Sequence, residues 1–413
     1  MRVTHLSLTD FRNYTTAEID LGTGANLFVG SNGQGKTNLV ESIGYLSTLG
    51  SHRVSSDQAM IRQGTDAAIV RARLRHGDRE LLAEVQLNRS SANRAQVNRS
   101  AIKPRELPRY VSSVLFAPED LALVRGEPSG RRRFLDELLV QRAPRLSGVL
   151  ADYERVLRQR NTLLKSARNS GLRGGNLSTL DIWDDRLVTL GTEIIDARWG
   201  LIEELRPHVR AAYEAVAGEQ HSATLAPALS VLSKSVDDED AHDAASVRLD
   251  APAIEARFRE ALATVRRSEL DRGVTLVGPH RDDLVLTLNG LPAKGYASHG
   301  ESWSMALALK LASAQVLRAE SPLGDPVIIL DDVFAELDER RRLRLASAVQ
   351  DFEQVLITAA VLGDVPGELA GTTVRIERGR VVEKLAGERD EAGDREGASD
   401  TEAAPASDDQ GDG

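Results

Sequence analysis

Residues 30–37 read Gly-Ser-Asn-Gly-Gln-Gly-Lys-Thr, the spacing G-x-x-x-x-G-K-T. Gly30, Gly33 and Gly35 let the backbone curl until successive N–H groups point at one centre, which suits the β- and γ-phosphates of a nucleoside triphosphate. Lys36 adds a positive charge at those phosphates, and the Thr37 hydroxyl is placed to hold Mg²⁺. The candidate ATP-binding residues are therefore Gly30, Ser31, Asn32, Gly33, Gln34, Gly35, Lys36 and Thr37. Leu27-Phe28-Val29 is a short apolar strand feeding the loop. Leu39, Val40, Ile43 and Leu46 then recur at helical spacing. Strand, glycine-rich loop and helix predict an α/β fold with phosphates on a helix N-terminus.

The chain has 413 residues, enough for two or three domains, and no cysteine, so disulfides and thiolate metal sites are excluded. Met1–Leu8 lacks the apolar core of a secretory signal, and no stretch approaches the roughly 18 apolar residues that span a bilayer. A soluble cytoplasmic protein with no membrane partner is expected. Residues 386–413 hold ten acids and two bases, a charge of −8, which leaves about −2 of the formal −10 for the body. With almost no large apolar side chains this tail is expected to be disordered and solvated.

Ala67–Leu74 and Glu80–Leu87 alternate around Arg75-His76-Gly77-Asp78, a hairpin signal. Between Asn88 and Tyr110, Arg89, Arg94, Arg99, Lys103, Arg105 and Arg109 face the single acid Glu106. This is either a nucleic-acid face or an ordinary solvated hairpin. Arg131-Arg132-Arg133 is a second candidate for phosphate contact, or a solvated helix start. Phe134–Ala167 and Leu180–Val216 are helical runs around a break at Gly171–Asn176, predicting an antiparallel helical arm. Ser222–Arg248 is weakly patterned and acidic around Asp237–Asp240. Ala251–Glu269 is an amphipathic helix, and Val274–Gly278 reads as a strand.

Val327-Ile328-Ile329-Leu330-Asp331-Asp332 is an apolar strand ending in two acids. Asp331 is the candidate metal ligand with Thr37, and Asp332 the candidate that orients or activates the attacking water, with Lys36 as its catalytic partner. Roughly 300 residues separate this strand from the phosphate loop. That spacing, with a helical arm between, resembles the ABC-type ATPases that act on DNA, including the SMC proteins. Their signature segment, Leu-Ser-Gly-Gly-Gln or a relative, corresponds to Ala297-Ser298-His299-Gly300-Glu301. Ser298 and Gly300 are kept, and at a helix N-terminus they could cap a γ-phosphate presented by another subunit.

Three further segments sharpen the resemblance: Asp10-Phe11-Arg12-Asn13-Tyr14; Pro118-Glu119-Asp120-Leu121 with Arg131–Asp136; and Gly278-Pro279-His280-Arg281-Asp282-Asp283. Over residues 1–385 the chain resembles the RecF family of bacterial DNA replication and repair proteins. The resemblance implies an ABC-type ATPase head (residues 1–130 and 271–385), an inserted helical arm (131–270) and the acidic tail (386–413). It also implies ATP-dependent homodimerisation, binding to single- and double-stranded DNA at gaps, and action with RecO and RecR in loading RecA. Glu119 or Asp120 would sit where the family's linker senses the γ-phosphate. Two departures stand out. Asp332 replaces the usual longer Glu, and Thr358 stands where these ATPases place a switch His, so slow hydrolysis is expected. A transporter-type ABC motor is disfavoured by the arm and altered signature, an SMC-like structural protein by the arm's shortness, and a nuclease by the lack of a second carboxylate cluster.

Overall fold

The structure, a computed structural model, describes residues 1–169, 178–218, 221–233, 247–320 and 324–385. The glycine-rich break at 171–176, the acids at 237–240 and the tail at 386–413 lie outside them.

The N-terminal half builds one sheet and begins a second. β1 (Arg2–Phe11) pairs with β2 (Tyr14–Asp20), and β3 (Gly24–Val29) feeds α1 (Lys36–Thr48). β4 (Ala67–His76), β5 (Arg79–Asn88), β6 (Arg94–Val97) and β7 (Ser100–Ile102) extend the first pair into an antiparallel sheet of order β2-β1-β4-β5-β6-β7. The register of β1 shifts between Val3 and His5. That bulge explains why Val3, Leu6 and Leu8 all face the core although their spacing breaks strict alternation.

After β8 (Ser113–Phe116) come α2 (Leu121–Arg125), α3 (Pro128–Arg142), α4 (Leu146–Asn169), the long α5 (Ser178–Ala217), β9 (Ala223–Ala228) and α6 (Ala251–Arg272). β10 (Asp283–Leu288) and β11 (Leu291–Pro292) join β9 in a small sheet of order β11-β10-β9. α7 (Ala293–Tyr296), α8 (His299–Glu320), β12 (Val327–Asp331), α9 (Glu339–Val349), β13 (Gln354–Ala359), β14 (Thr372–Glu377) and β15 (Arg380–Leu385) complete the chain. The central sheet runs β15-β14-β3-β13-β12-β8, parallel except for β15. Val327 and Ile329 pack toward α1 and the antiparallel sheet, whereas Ile328 and Leu330 pack toward α8, α3 and the C-terminal half of α5. Burial on both faces is why β12 is apolar at every position.

α4, the N-terminal half of α5 and α6 enclose a third core around Trp199, Phe258 and Leu187. Arg160 is fully buried there and binds Asp184 and Glu269 at 2.6 Å each and the Thr275 hydroxyl at 2.8 Å, tying the three helices together. Removing one member of such a set strands a buried charge. Gly191 and Gly278 permit the closest approaches. A Cβ would lie 2.5 Å from Phe258 Cε1 at Gly191 and 2.6 Å from the Tyr153 hydroxyl at Gly278, whose φ is +125°.

Two readings of the sequence change here. Val274–Gly278 is not a strand: two of its backbone donors are taken by side chains, Thr275 N–H on Asn161 Oδ1 (2.8 Å) and Leu276 N–H on Glu269 Oε1 (2.9 Å). β9 was hidden in the weakly patterned segment. It is an edge strand, where Pro227 forfeits no essential ladder bond.

His280 follows Gly278 and Pro279 and is half-buried. Its Nε2–H donates to the Thr275 carbonyl (3.3 Å) and its Nδ1 accepts from the Tyr153 hydroxyl (2.8 Å), so the ring is held neutral. Burial, with the charges of Arg281, Arg132 and Arg160 nearby, lowers its pKa to about 3. The unfolded chain takes up a proton below about pH 6.5 that the folded chain refuses, so stability falls as pH drops from 6.5 toward 3. Denaturant unfolding at pH 7 and pH 5 should show that His280→Gln loses about 2 kcal/mol less over that interval than the wild type. An unchanged difference would mean that His280 is protonated in the folded state.

Candidate nucleotide site

β13 alone separates β3 from β12, so the phosphate loop and the two acids emerge side by side at the C-terminal edge of the parallel strands. The Thr37 hydroxyl donates to Asp331 Oδ1 at 2.9 Å across 294 residues of sequence. The Thr358 hydroxyl donates to the same oxygen at 2.7 Å and accepts from the Asp332 N–H at 2.8 Å. Asp332 occupies the left-handed region, φ +50°, a strained geometry for a non-glycine residue that the Thr358 bond secures. Burial raises the Asp332 pKa, opposed by Lys36 and reinforced by Asp331. Lys36 is buried, with Nζ 2.8 Å from the Gly30 carbonyl and 3.4 Å from that of Ser31. Lys36, Thr37, Asp331 and Asp332 are thus gathered at one place.

The loop is braced from two sides. Asn13 Nδ2 donates to the Gln34 carbonyl (3.1 Å), Tyr14 donates to that of Gly35 (3.1 Å), and Asn38 Nδ2 donates to Asn13 Oδ1 (2.8 Å). Arg12 grips the buried Glu41 of α1 through both carboxylate oxygens, at 2.8 and 2.6 Å. On the other side the β14–β15 turn contributes Gly379 N–H to the Gln34 carbonyl (2.9 Å) and Arg378 N–H to Gln34 Oε1 (2.6 Å). The Gln34 side chain therefore points at this turn. Gly30 is required by the close approach of β14, because a Cβ would meet the Ile376 carbonyl at 2.3 Å.

Ser298 and Gly300 sit apart from the loop on the entry to α8. Ser298 N–H donates to Glu301 Oε2 (2.8 Å) and Glu301 N–H to Ser298 Oγ (3.3 Å), a reciprocal cap. Those bonds hold the Glu301 carboxyl below its usual pKa. The departure from Gln to Glu at this signature position thus supplies the helix cap. Gly300 leaves room for Arg341, whose Nη2 would lie 2.8 Å from a Cβ.

The model of the RecF/RecN/SMC N-terminal domain matches residues 2–365. The DNA replication and repair protein RecF of Leifsonia xyli subsp. xyli is 69% identical over 93% of this chain and 100% of its own length. The chain belongs to the RecF family. The RecF of Frankia alni is 53% identical over 92% of this chain and 99% of its own. A solved structure described as the recombination mediator protein RecF with ATP in the RecFOR pathway superposes with a TM-score of 0.81, at 28% identity, covering 93% of this chain and 97% of that one. An SMC head bound to the C-winged helix domain of ScpA, 14% identical with a TM-score of 0.52 over 95% of this chain and 100% of that one, shares the fold. The fold is that of an ABC-type ATPase head with helices inserted between its motifs.

In this RecF-family chain Arg131 to Arg133 all have partners within the fold. Arg131 is buried and bidentate on Asp283 (2.6 and 2.8 Å), Arg132 donates to the Asp282 carbonyl (2.7 Å), and Arg133 binds Glu137 (2.6 Å) and the Ser51 carbonyl (2.9 Å). Their partners lie up to 152 residues away in sequence, which hid the pairing. Asp120 is half-buried. It accepts from Ala117 N–H (2.8 Å) and pairs with Lys310 of α8 (3.0 Å), while burial raises its pKa. Among the described residues no helix is long and apolar enough to cross a membrane.

Thr358 had no sequence-derived role beyond not being histidine. Thr358→Val should strand the Asp332 N–H and release one hold on Asp331, costing about 1–3 kcal/mol of unfolding free energy, whereas Thr358→Ser keeps both bonds and stays near wild type. Equal stability of the Val and Ser variants in denaturant unfolding would remove Thr358 from this role.

Proposed function

We propose that this chain binds ATP with Mg²⁺, closes into a homodimer on it, and in that state binds DNA at single-strand gaps during replication and recombinational repair. The observation that carries this reading is the meeting of Thr37 with Asp331 within a fold shared with ATP-bound RecF. The local donors, the Thr37 hydroxyl and the carboxylates of Asp331 and Asp332, are all oxygen, which fits Mg²⁺. When bound, the ion neutralises charge on the β- and γ-phosphates. Lys36 supplies a second positive charge, and the N–H groups of the loop fix the phosphate chain. Asp332 orients the attacking water, and its side chain, one methylene shorter than Glu, makes hydrolysis slow. Ser298 and Gly300 of a second copy cap the γ-phosphate, so that ATP acts mainly as a clamp. Action with RecO and RecR in loading RecA, a cytoplasmic location, and the division into head (1–130, 271–385) and arm (131–270) belong to the same reading.

For DNA, Arg94, Arg99, Lys103, Arg105 and Arg109 support the nucleic-acid face. All five are exposed and, among the described residues, their side chains carry no ion pair or hydrogen bond. Such cations bind phosphates without sequence preference. Arg99 stands at the tip of the two-residue β6–β7 turn, where Asn98 and Arg99 have φ of +49° and +67°. The second position of this turn favours glycine. An arginine held there implies a use for its charge.

Sedimentation with and without ATP and a gapped duplex tests the clamp. The wild type should dimerise on ATP and bind DNA more tightly, and Lys36→Arg should lose most of both. A wild type that stays monomeric and ignores DNA throughout overturns the reading. Arg99→Gly separates fold from function: it should raise stability by about 0.5–1 kcal/mol while weakening DNA binding and flattening its salt dependence. Unchanged DNA affinity would remove the tip from the interface.

A further inference from the structure

The nucleotide site has a neighbour that none of the motifs describes. The loop after α1, Ser51-His52-Arg53, turns back under the two acids. It is pinned there. The Ser51 hydroxyl binds Glu41 and accepts from the N–H groups of Arg53 (3.0 Å) and Val54 (3.1 Å), while the Ser51 carbonyl accepts from Arg133 (2.9 Å). Glu41 is the carboxylate that Arg12 grips. The His52 imidazole is consequently fixed, with Nε2 3.4 Å from Asp331 Oδ2. That nitrogen is fully buried and has no hydrogen-bond partner. It lines a cavity of about 210 Å³ together with Glu119, Asp120 and Lys310. A buried polar atom without a partner costs free energy unless something polar fills the space before it.

We propose that His52 is a positioning residue for the hydrated metal ion: its Nε2 holds a metal-bound water on the side of the site where Asp331 Oδ2 lies. The inference rests on the proposed binding of Mg²⁺ with ATP. Mg²⁺ keeps several waters in an octahedron with bonds of about 2.0–2.1 Å, which sets neighbouring oxygens about 2.9 Å apart. The 3.4 Å between Nε2 and Asp331 Oδ2 is close to that edge, so the two atoms can receive adjacent waters of one hydration shell. A metal-bound water turns its lone pair to the ion and donates its protons, so Nε2 accepts from it and the ring proton sits on Nδ1. Asp331 Oδ1 is already committed to Thr37 and Thr358, which leaves Oδ2 and His52 as the free edge of the site.

The test separates metal from nucleotide. Affinity of the full chain for a fluorescent ATP analogue is measured in EDTA and across a Mg²⁺ titration. In the wild type Mg²⁺ should tighten binding. His52→Ala, and the nearly isosteric His52→Phe, should raise the Mg²⁺ concentration for half-maximal tightening about 10-fold or more, as loss of an outer-sphere partner does elsewhere, with affinity in EDTA unchanged. His52→Gln, which returns a polar atom to the cavity, should recover part of the shift. An unchanged Mg²⁺ midpoint in Phe and Ala, or an equal loss of affinity with and without metal, overturns the assignment and makes His52 a packing residue. A wild type that binds no nucleotide in either condition instead fails the functional reading itself.

Discussion

The hydrogen bond from Thr37 to Asp331 joins residues 294 positions apart, and the architecture serves that meeting. A helix N-terminus can be delivered to the end of a strand only if the two strands involved lie nearly side by side. The central sheet does this by placing β13 alone between β3 and β12. Everything in the intervening sequence must then leave and return without disturbing the C-terminal edge of those strands. The antiparallel sheet packs on one face of the central sheet and the long helices on the other, so the excursion closes on itself. Thr358 comes from the strand in the middle and can therefore reach both acids.

A loop that presents its N–H groups outward has few bonds of its own, and its shape depends on neighbours. Here the neighbours are the β1–β2 turn and the β14–β15 turn, the beginning and the end of the described chain. Both close on the Gln34 carbonyl, one through Asn13 and the other through Gly379. Arg12 and Glu41 then fix the same β1–β2 turn to the helix that follows the loop. The Asp10–Tyr14 segment thus braces the phosphate loop. Glu41 has a second partner in Ser51, which carries the bracing on to the loop that holds His52.

Contiguous features were legible in the sequence. The phosphate loop is a local code, and the strand at 327–331 announces itself because burial on both faces leaves no polar position. The paired acids follow from that strand's end. Features set by distant partners were not legible. Arg131 looks like a free cation until Asp283 is brought to it. Val274–Gly278 looks like a strand because it is rich in β-branched and apolar residues, but donors within it are taken by Asn161 and Glu269. β9 has the composition of a linker, and an edge position is what lets Ala and Pro form it. His52 carries no motif at all; only the fold shows that it faces Asp331.

The departures at Asp332 and Thr358 are linked rather than separate. A histidine after β13 would offer a titratable donor to the γ-phosphate, whereas Thr358 turns its hydroxyl inward and spends both of its bonds on the acids. One bond fixes the backbone of Asp332 in a left-handed geometry, so the direction of its carboxylate is set by the strand below. A carboxylate held this way is well placed to order a water but has little freedom to follow it toward phosphorus, and its side chain is short. On the proposed reading, such a site favours a bound triphosphate that persists. A dimer held shut by intact ATP needs precise positioning of the phosphate more than rapid chemistry, and the bonds around Asp331 are arranged for positioning.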